Sequence, residues 1–178
     1  MSLLSCDTLD LIESLTPLLQ LLFRHLLNIA EVDLPAAILV EPIQGEGGVI
    51  VPPDDYLAGL KRACHAAGAL LILDEVQTGI GRTGRWLALE HSGVVPDILT
   101  LGKGLGGGMP IAGFMATDAV MDTMQPGDHG GTYAGNLVTC RAADAVLQVI
   151  DEEGLIERAE RLGDQTRARL ERLAKRGT

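Results

Sequence analysis

Apolar residues along this chain follow two patterns, short unbroken runs and longer stretches at helical spacing interrupted by charges. From Asp7 to Ile29, Leu15, Leu18, Leu19, Leu22 and Leu26 share one helical stripe, and Thr16-Pro17 supplies an N-cap and first-turn signal. One or two short helices are predicted there, within a helical N-terminal segment 1–35. Ala36 to Val40 reads as a buried strand ending at Glu41-Pro42. Pro52-Pro53-Asp54-Asp55 opens a helix running to about Ala67, with Gly68 as its natural stop. A second strand, Ala69 to Leu73, delivers Asp74 and Glu75 at its C-terminal end. A short helix from Trp86 to His91 leads to a third strand, Ile98 to Leu101, with Lys103 just beyond it. A fourth strand, Ile111 to Ala116, precedes a helix that Thr117-Asp118 is placed to cap. From Asn136 to Arg176 the pattern predicts two long helices interrupted at Gly154. The fold class implied is α/β, with a mainly parallel sheet and flanking helices on both of its faces.

Composition narrows the function. With 24 acidic against 14 basic residues, the net charge of -10 argues against a nucleic-acid partner, which requires a cationic footprint. Arg24, His25 and Glu31 interrupt the most apolar region, so no stretch predicts a membrane span. The widely spaced Cys6, Cys64 and Cys140 form no CxxC pair and no ligand spacing with histidine. They read as free thiols of a cytoplasmic protein, and no metal site is predicted.

In an open α/β sheet, ligands bind beyond the carboxyl ends of the strands. Three such ends here carry reactive or anionic groups: Glu41 with Glu46, Asp74 to Gln77, and Lys103. Lys103 lies in Gly102-Lys103-Gly104-Leu105-Gly106-Gly107-Gly108, which has almost no side chains to hold it in a core. Its ammonium must face a cavity or water, and a solvated loop lysine is the plain alternative. Gly104 follows Lys103 where a P-loop needs Ser or Thr, and Asp97 stands where it needs glycine. Gly102, Gly104 and Gly107 satisfy G-x-G-x-x-G, but a strand-like run follows instead of a helix, which argues against a dinucleotide fingerprint. Taken alone, Asp74 reads equally as an N-cap. An amine nucleophile and a carboxylate are, together, what pyridoxal 5′-phosphate (PLP) chemistry needs, one to bond the cofactor and one to keep its ring nitrogen protonated, and separate strand ends of one sheet can supply both.

Six ordered strings carry a resemblance: Val40-Glu41-Pro42-Ile43-Gln44-Gly45-Glu46-Gly47-Gly48, Leu73-Asp74-Glu75-Val76-Gln77-Thr78-Gly79, Gly81-Arg82-Thr83-Gly84, Pro96-Asp97-Ile98, Leu101-Gly102-Lys103 and His129-Gly130-Gly131-Thr132-Tyr133-Ala134-Gly135-Asn136. In order and spacing the chain resembles the class-III, or ω-, aminotransferases over roughly Ala36 to Gly163. The resemblance implies the large domain of a fold-type I PLP-dependent transferase. Residues 36–152 would form its central part, and residues 153–178 would be a helix leading towards a C-terminal small domain. It further implies Lys103 as Schiff-base lysine and proton carrier, Asp74 on the pyridine nitrogen, Val76 against one ring face and Gln77 on the ring 3′-oxygen. Thr132 would serve the cofactor phosphate of the neighbouring subunit in a homodimer, and Glu46 would be the family's switch carboxylate on the substrate side. The substrates implied are an amino donor and a 2-oxo acid acceptor. Arg82 and Arg85 read as structural, His129 as shaping the phosphate loop, and Trp86 and Tyr133 as packing.

The family's phosphate-cup loop and cofactor-stacking aromatic residue find no match in the first 35 residues, and the chain ends inside a predicted helix. The expectation is a fragment with lysine and aspartate correctly placed but weak or absent turnover alone. The rival from another class is a catalytically silent module that does not hold cofactor. A decarboxylating relative and a nucleotide-binding domain are more distant alternatives.

Overall fold

A computed structural model describes residues 35–175 of the chain. The helices predicted between Asp7 and Ile29 lie outside the described residues. Four strands, β1 (Ala37–Val40), β2 (Leu70–Asp74), β3 (Ile98–Leu101) and β4 (Gly113–Ala116), form one sheet in the order β1-β2-β3-β4. β1, β2 and β3 run parallel, as expected for an α/β chain, and β4 returns antiparallel to β3. The 102–112 connection explains the reversal. It holds only a one-turn 3-10 helix, Lys103–Gly106, and a parallel return requires a longer crossover.

Helix α1 (Tyr56–Ala67) supplies the core. Its Leu57, Leu60, Ala63 and Cys64 fall on one stripe and pack against Leu71, Leu73 and Leu99 of the sheet. Leu60, Leu71 and Leu73 are fully buried, each stabilising the fold by roughly 1.5–3 kcal/mol before chain entropy is counted. The helix stops where predicted. Gly68 turns left-handed (φ 68°), which lets Ala69 N–H reach the Cys64 carbonyl (2.9 Å) and Gly68 N–H the His65 carbonyl (3.2 Å). Burial, reinforced by the nearby Asp97 charge, pushes the Cys64 thiol up from its ordinary pKa, so this cysteine serves as packing.

Several local expectations are corrected. β1 is half-exposed, with Leu39 58% accessible, because among the described residues it is an edge strand paired only with β2. Among the described residues, α1 packs on one face of the sheet, while Leu70, Ile72 and Ile98 on the other are half-buried. The segment before Ser92 is a single 3-10 turn, Ala88–His91, whose N-terminal N–H groups are taken by Glu90 and Glu75. β4 begins at Gly113, two residues later than expected. Helix α2 (Asp118–Met121) is one turn long, and the Thr117 carbonyl, not its side chain, accepts from Val120 and Met121.

The two long helices are present as α3 (Leu137–Glu152) and α4 (Leu155–Ala174), divided by left-handed Gly154. Asn136 Oδ1 caps α3 by accepting from Val138 N–H (3.0 Å) and Thr139 N–H (3.2 Å). α3 lies against the glycine run after Lys103, where a Cβ on Gly107 would stand 2.6 Å from Val146 Cγ2. Gly107 also has φ 58°. Gly107→Ala combines that clash with a left-handed alanine and is expected to destabilise the chain by about 2–3 kcal/mol, read from urea unfolding. An unchanged midpoint would mean α3 yields freely.

Far from Lys103, at the opposite end of the sheet, Lys61 of α1 donates to Asp97 Oδ1 (2.7 Å), and Leu71 N–H donates to Oδ2 (2.8 Å). Partial burial pushes the Asp97 carboxyl up, but the Lys61 hydrogen bond, the Leu71 N–H and the Lys61 charge outweigh it and hold it below its ordinary pKa. A carboxyl depressed in the folded state contributes stability above its unfolded-state pKa and loses it as pH falls through the folded value. Lys61→Met is therefore expected to flatten the acid limb of the stability curve. Parallel acid limbs for parent and variant would remove Asp97 from the explanation.

Candidate active site

The parallel strands place Glu41, Asp74 and Lys103 beyond one edge of the sheet. Asp74 ends β2 opposite Thr100 of β3, on the face turned away from α1. Its Oδ1 accepts from Val76 N–H (2.9 Å) and from the Thr100 hydroxyl (3.1 Å). Asp74 caps the turn that follows it, so the N-cap-like role is present alongside any role toward a ligand. Val76 packs over the backbone of Gly102, where an added Cβ would meet Val76 Cγ1 at 3.3 Å.

Lys103 follows directly and is exposed, with φ 42°. The left-handed region is unfavourable for a residue with a Cβ, and such strain concentrates at functional positions. Its Nζ donates to Gln77 Oε1 at 2.6 Å. Gln77 in turn lies beside the Glu41–Ile50 loop, 3.1 Å from the position of a Cβ on Gly45, whose N–H donates to Glu41 Oε2 (2.9 Å). The structure thus gathers Lys103, Gln77, Val76 and Asp74 at one sheet edge.

Glu46 and Thr132 are less engaged. Glu46 projects from the tip of the turn closed by Gln44 and Ile50 and is exposed. Thr132 is exposed in the 128–136 loop. That loop touches the sheet through His129, whose ring meets Phe114 of β4 edge-on at 5.7 Å. This suits a shaping role for His129, and no metal-ligand cluster occurs among the described residues. Tyr133 corrects the packing expectation: it is 82% exposed, on a loop beyond reach of the core. Trp86 is half-buried, and Arg85 pairs with Glu160 of α4 at 2.8 Å, consistent with its structural reading.

Two residues beside the site carried no sequence assignment. Glu75 is fully buried and accepts from Thr78 Oγ1 (2.8 Å), Ala88 N–H (2.8 Å) and Leu89 N–H (2.7 Å). It ties the Asp74 turn to the 88–91 helix. An acidic residue directly after an apolar strand was the available signal, but its inward direction depends on the fold. Thr100 looked like an ordinary strand threonine, and only register places its hydroxyl on Asp74.

The class-III aminotransferase family model matches residues 17–178. This chain belongs to that family. Over 139 residues it is 52% identical to the acetylornithine aminotransferase of Mycobacterium leprae, covering 78% of this chain and 34% of the relative. Over 135 residues it is 50% identical to a leucine/methionine racemase of Thermococcus litoralis, covering 76% and 30%. Among solved structures, the ornithine aminotransferase of Toxoplasma gondii, with PLP partly occupying its active site, superposes with a TM-score of 0.76 at 49% identity, covering 83% and 35%. The class-III chain described here therefore spans about a third of the length of these relatives. The fold is that of the family's α/β large domain, and the family's cofactor is PLP. The site's donor set fits that cofactor: an amine, an amide oxygen already within reach of it, and a carboxylate oxygen, Asp74 Oδ2, that accepts nothing among the described residues.

Proposed function

We propose that this chain carries the cofactor-anchoring part of a PLP-dependent transamination site, which moves an amino group from an amine or ω-amino acid to a 2-oxo acid. The observation that supports it is the Lys103 amine resting on Gln77, three residues beyond Asp74, at the carboxyl edge of a parallel sheet. PLP, when bound, would supply an electron sink for the bonds at the substrate's reacting carbon. The Lys103 amine would hold the cofactor at rest and, once displaced by the substrate's amine, would carry the proton taken from the substrate's Cα. Asp74 Oδ2 would hold the proton on the ring nitrogen, Val76 would pack on the ring, and Gln77 would orient the 3′-oxygen. Glu46 would serve the substrate side, and Thr132 would reach the cofactor phosphate of a neighbouring copy in a homodimer. Residues 36–152 make up the central large domain, and 153–178 lead towards a further domain. The thiols Cys64 and Cys140 suit a reducing, cytoplasmic setting.

A second reading, a folded module that does not retain cofactor, draws on the exposure of Lys103, Gln77 and Thr132. One experiment separates the two. The chain is mixed with PLP, its visible spectrum recorded, the linkage fixed with borohydride and the added mass located by peptide mapping. Label confined to Lys103 supports the proposed site. Label scattered over surface lysines such as Lys61 and Lys175 would support the silent module. The similarity to a racemase makes the product the test of reaction type: with ornithine or acetylornithine and a 2-oxo acid, amino transfer is expected, and loss of chirality alone would favour racemisation.

A further inference from the structure

We infer that Thr100 is a positioning residue for the proposed site, fixing the plane of the Asp74 carboxylate so that one oxygen is presented to the cofactor's ring nitrogen. The inference rests on the PLP reading above and adds a residue to it. Asp74 and Thr100 are register partners on neighbouring parallel strands, so their side chains leave the same face of the sheet. The Thr100 hydroxyl has one proton to donate, and it is directed to Asp74 Oδ1 at 3.1 Å. Val76 N–H directs a second donor to the same oxygen at 2.9 Å. The Thr100 carbonyl also accepts from Glu75 N–H at 3.0 Å, so one residue holds both the backbone and the side chain of the Asp74 turn.

The consequence is asymmetry within a single carboxylate. Oδ1 is engaged by two donors, and Oδ2 accepts none among the described residues. A carboxylate terminating a strand can rotate about its last torsion, which is broad and nearly two-fold. The two oxygens are equivalent, so two donors on one of them fix the plane of the carboxylate and leave the other for a cationic N–H. Without the Thr100 hydroxyl only the Val76 N–H remains, and the carboxylate spends part of its time turned away from the ring nitrogen.

The test compares T100V, T100S and the parent chain with PLP as the probe. Valine keeps the β-branched shape that suits β3 and removes only the donor, while serine keeps the donor. T100V is expected to bind PLP roughly fivefold more weakly, the loss of one hydrogen bond to a charged group partly replaced by water. The pH midpoint of the visible band should also move upward. A ring nitrogen held less firmly in its protonated form withdraws fewer electrons from the nitrogen joined to Lys103, which becomes more basic. T100S should restore both quantities. A purely structural Thr100 would change the urea midpoint and leave the spectral midpoint where it was, which would overturn the inference. Unaltered binding and spectrum in T100V would overturn it alone, with the proposed site intact. Absence of any Lys103-linked band in the parent chain would sink the inference together with the reading beneath it.

Discussion

Replacing Lys103 by alanine is expected to abolish the borohydride-fixed PLP label and its visible band, reducing modification to the background of surface lysines. No other amine can substitute, because the site's reactive position is defined by the end of β3 and the short 3-10 helix that begins at Lys103 itself. Lys103→Arg should fail equally, since a guanidinium that stays protonated is no nucleophile toward the cofactor's aldehyde. Lys103→Gly adds a sharper contrast. At φ 42° the parent lysine sits where a Cβ is unfavourable, by about 1–2 kcal/mol. Glycine relieves that strain and returns about 0.5–1 kcal/mol through greater freedom of the unfolded chain. The glycine variant is therefore expected to be as stable as the parent or slightly more so, while losing the label. Equal labelling of Lys103→Gly and parent would refute the assignment of the cofactor linkage.

The largest loss of stability is expected from Glu75→Ala. The Glu75 side chain is completely buried and satisfies a hydroxyl and two backbone N–H groups. Truncation leaves those donors without their acceptor and opens a void beneath the 88–91 helix. The cost is about 3–5 kcal/mol, a large part of the 5–15 kcal/mol by which folded domains are typically stable. Glu75→Gln should be intermediate, because one amide oxygen remains but an NH2 group now faces an N–H. Urea unfolding of the three proteins is the measurement, and a Glu75→Ala midpoint within error of the parent would show that solvent replaces the carboxylate at no cost. Because Glu75 also fixes the turn bearing Asp74, Val76 and Gln77, PLP binding should weaken in Glu75→Gln even where the variant remains folded.

Much of the architecture was legible along the chain for local reasons. Apolar runs flanked by turn residues located β1, β2 and β3, and Gly68, Asn136 and Gly154 marked helix ends whose geometry is set by a few adjacent residues. The strand-end positions of Asp74 and Lys103 follow from the same patterns, and the ordered motifs supplied the family, which the family match bears out. Local signals failed where lengths were marginal. The 88–91 and 118–121 helices are single turns, and at that length distant partners, not propensity, decide how far a helix runs.

The amino-acid sequence by itself determined which residues can carry the chemistry and the order in which they arrive at the sheet edge. Only the tertiary structure decided which of them meet. Strand register pairs Thr100 with Asp74, the inward turn of Glu75 makes it a clamp, the short 102–112 connection reverses β4, and packing between α1 and the far end of the sheet joins Lys61 to Asp97. The physical reason is common to all of these. Periodicity and capping are properties of neighbours in the chain, whereas a hydrogen bond between residues far apart in sequence exists only after the core has set the distance and direction between them.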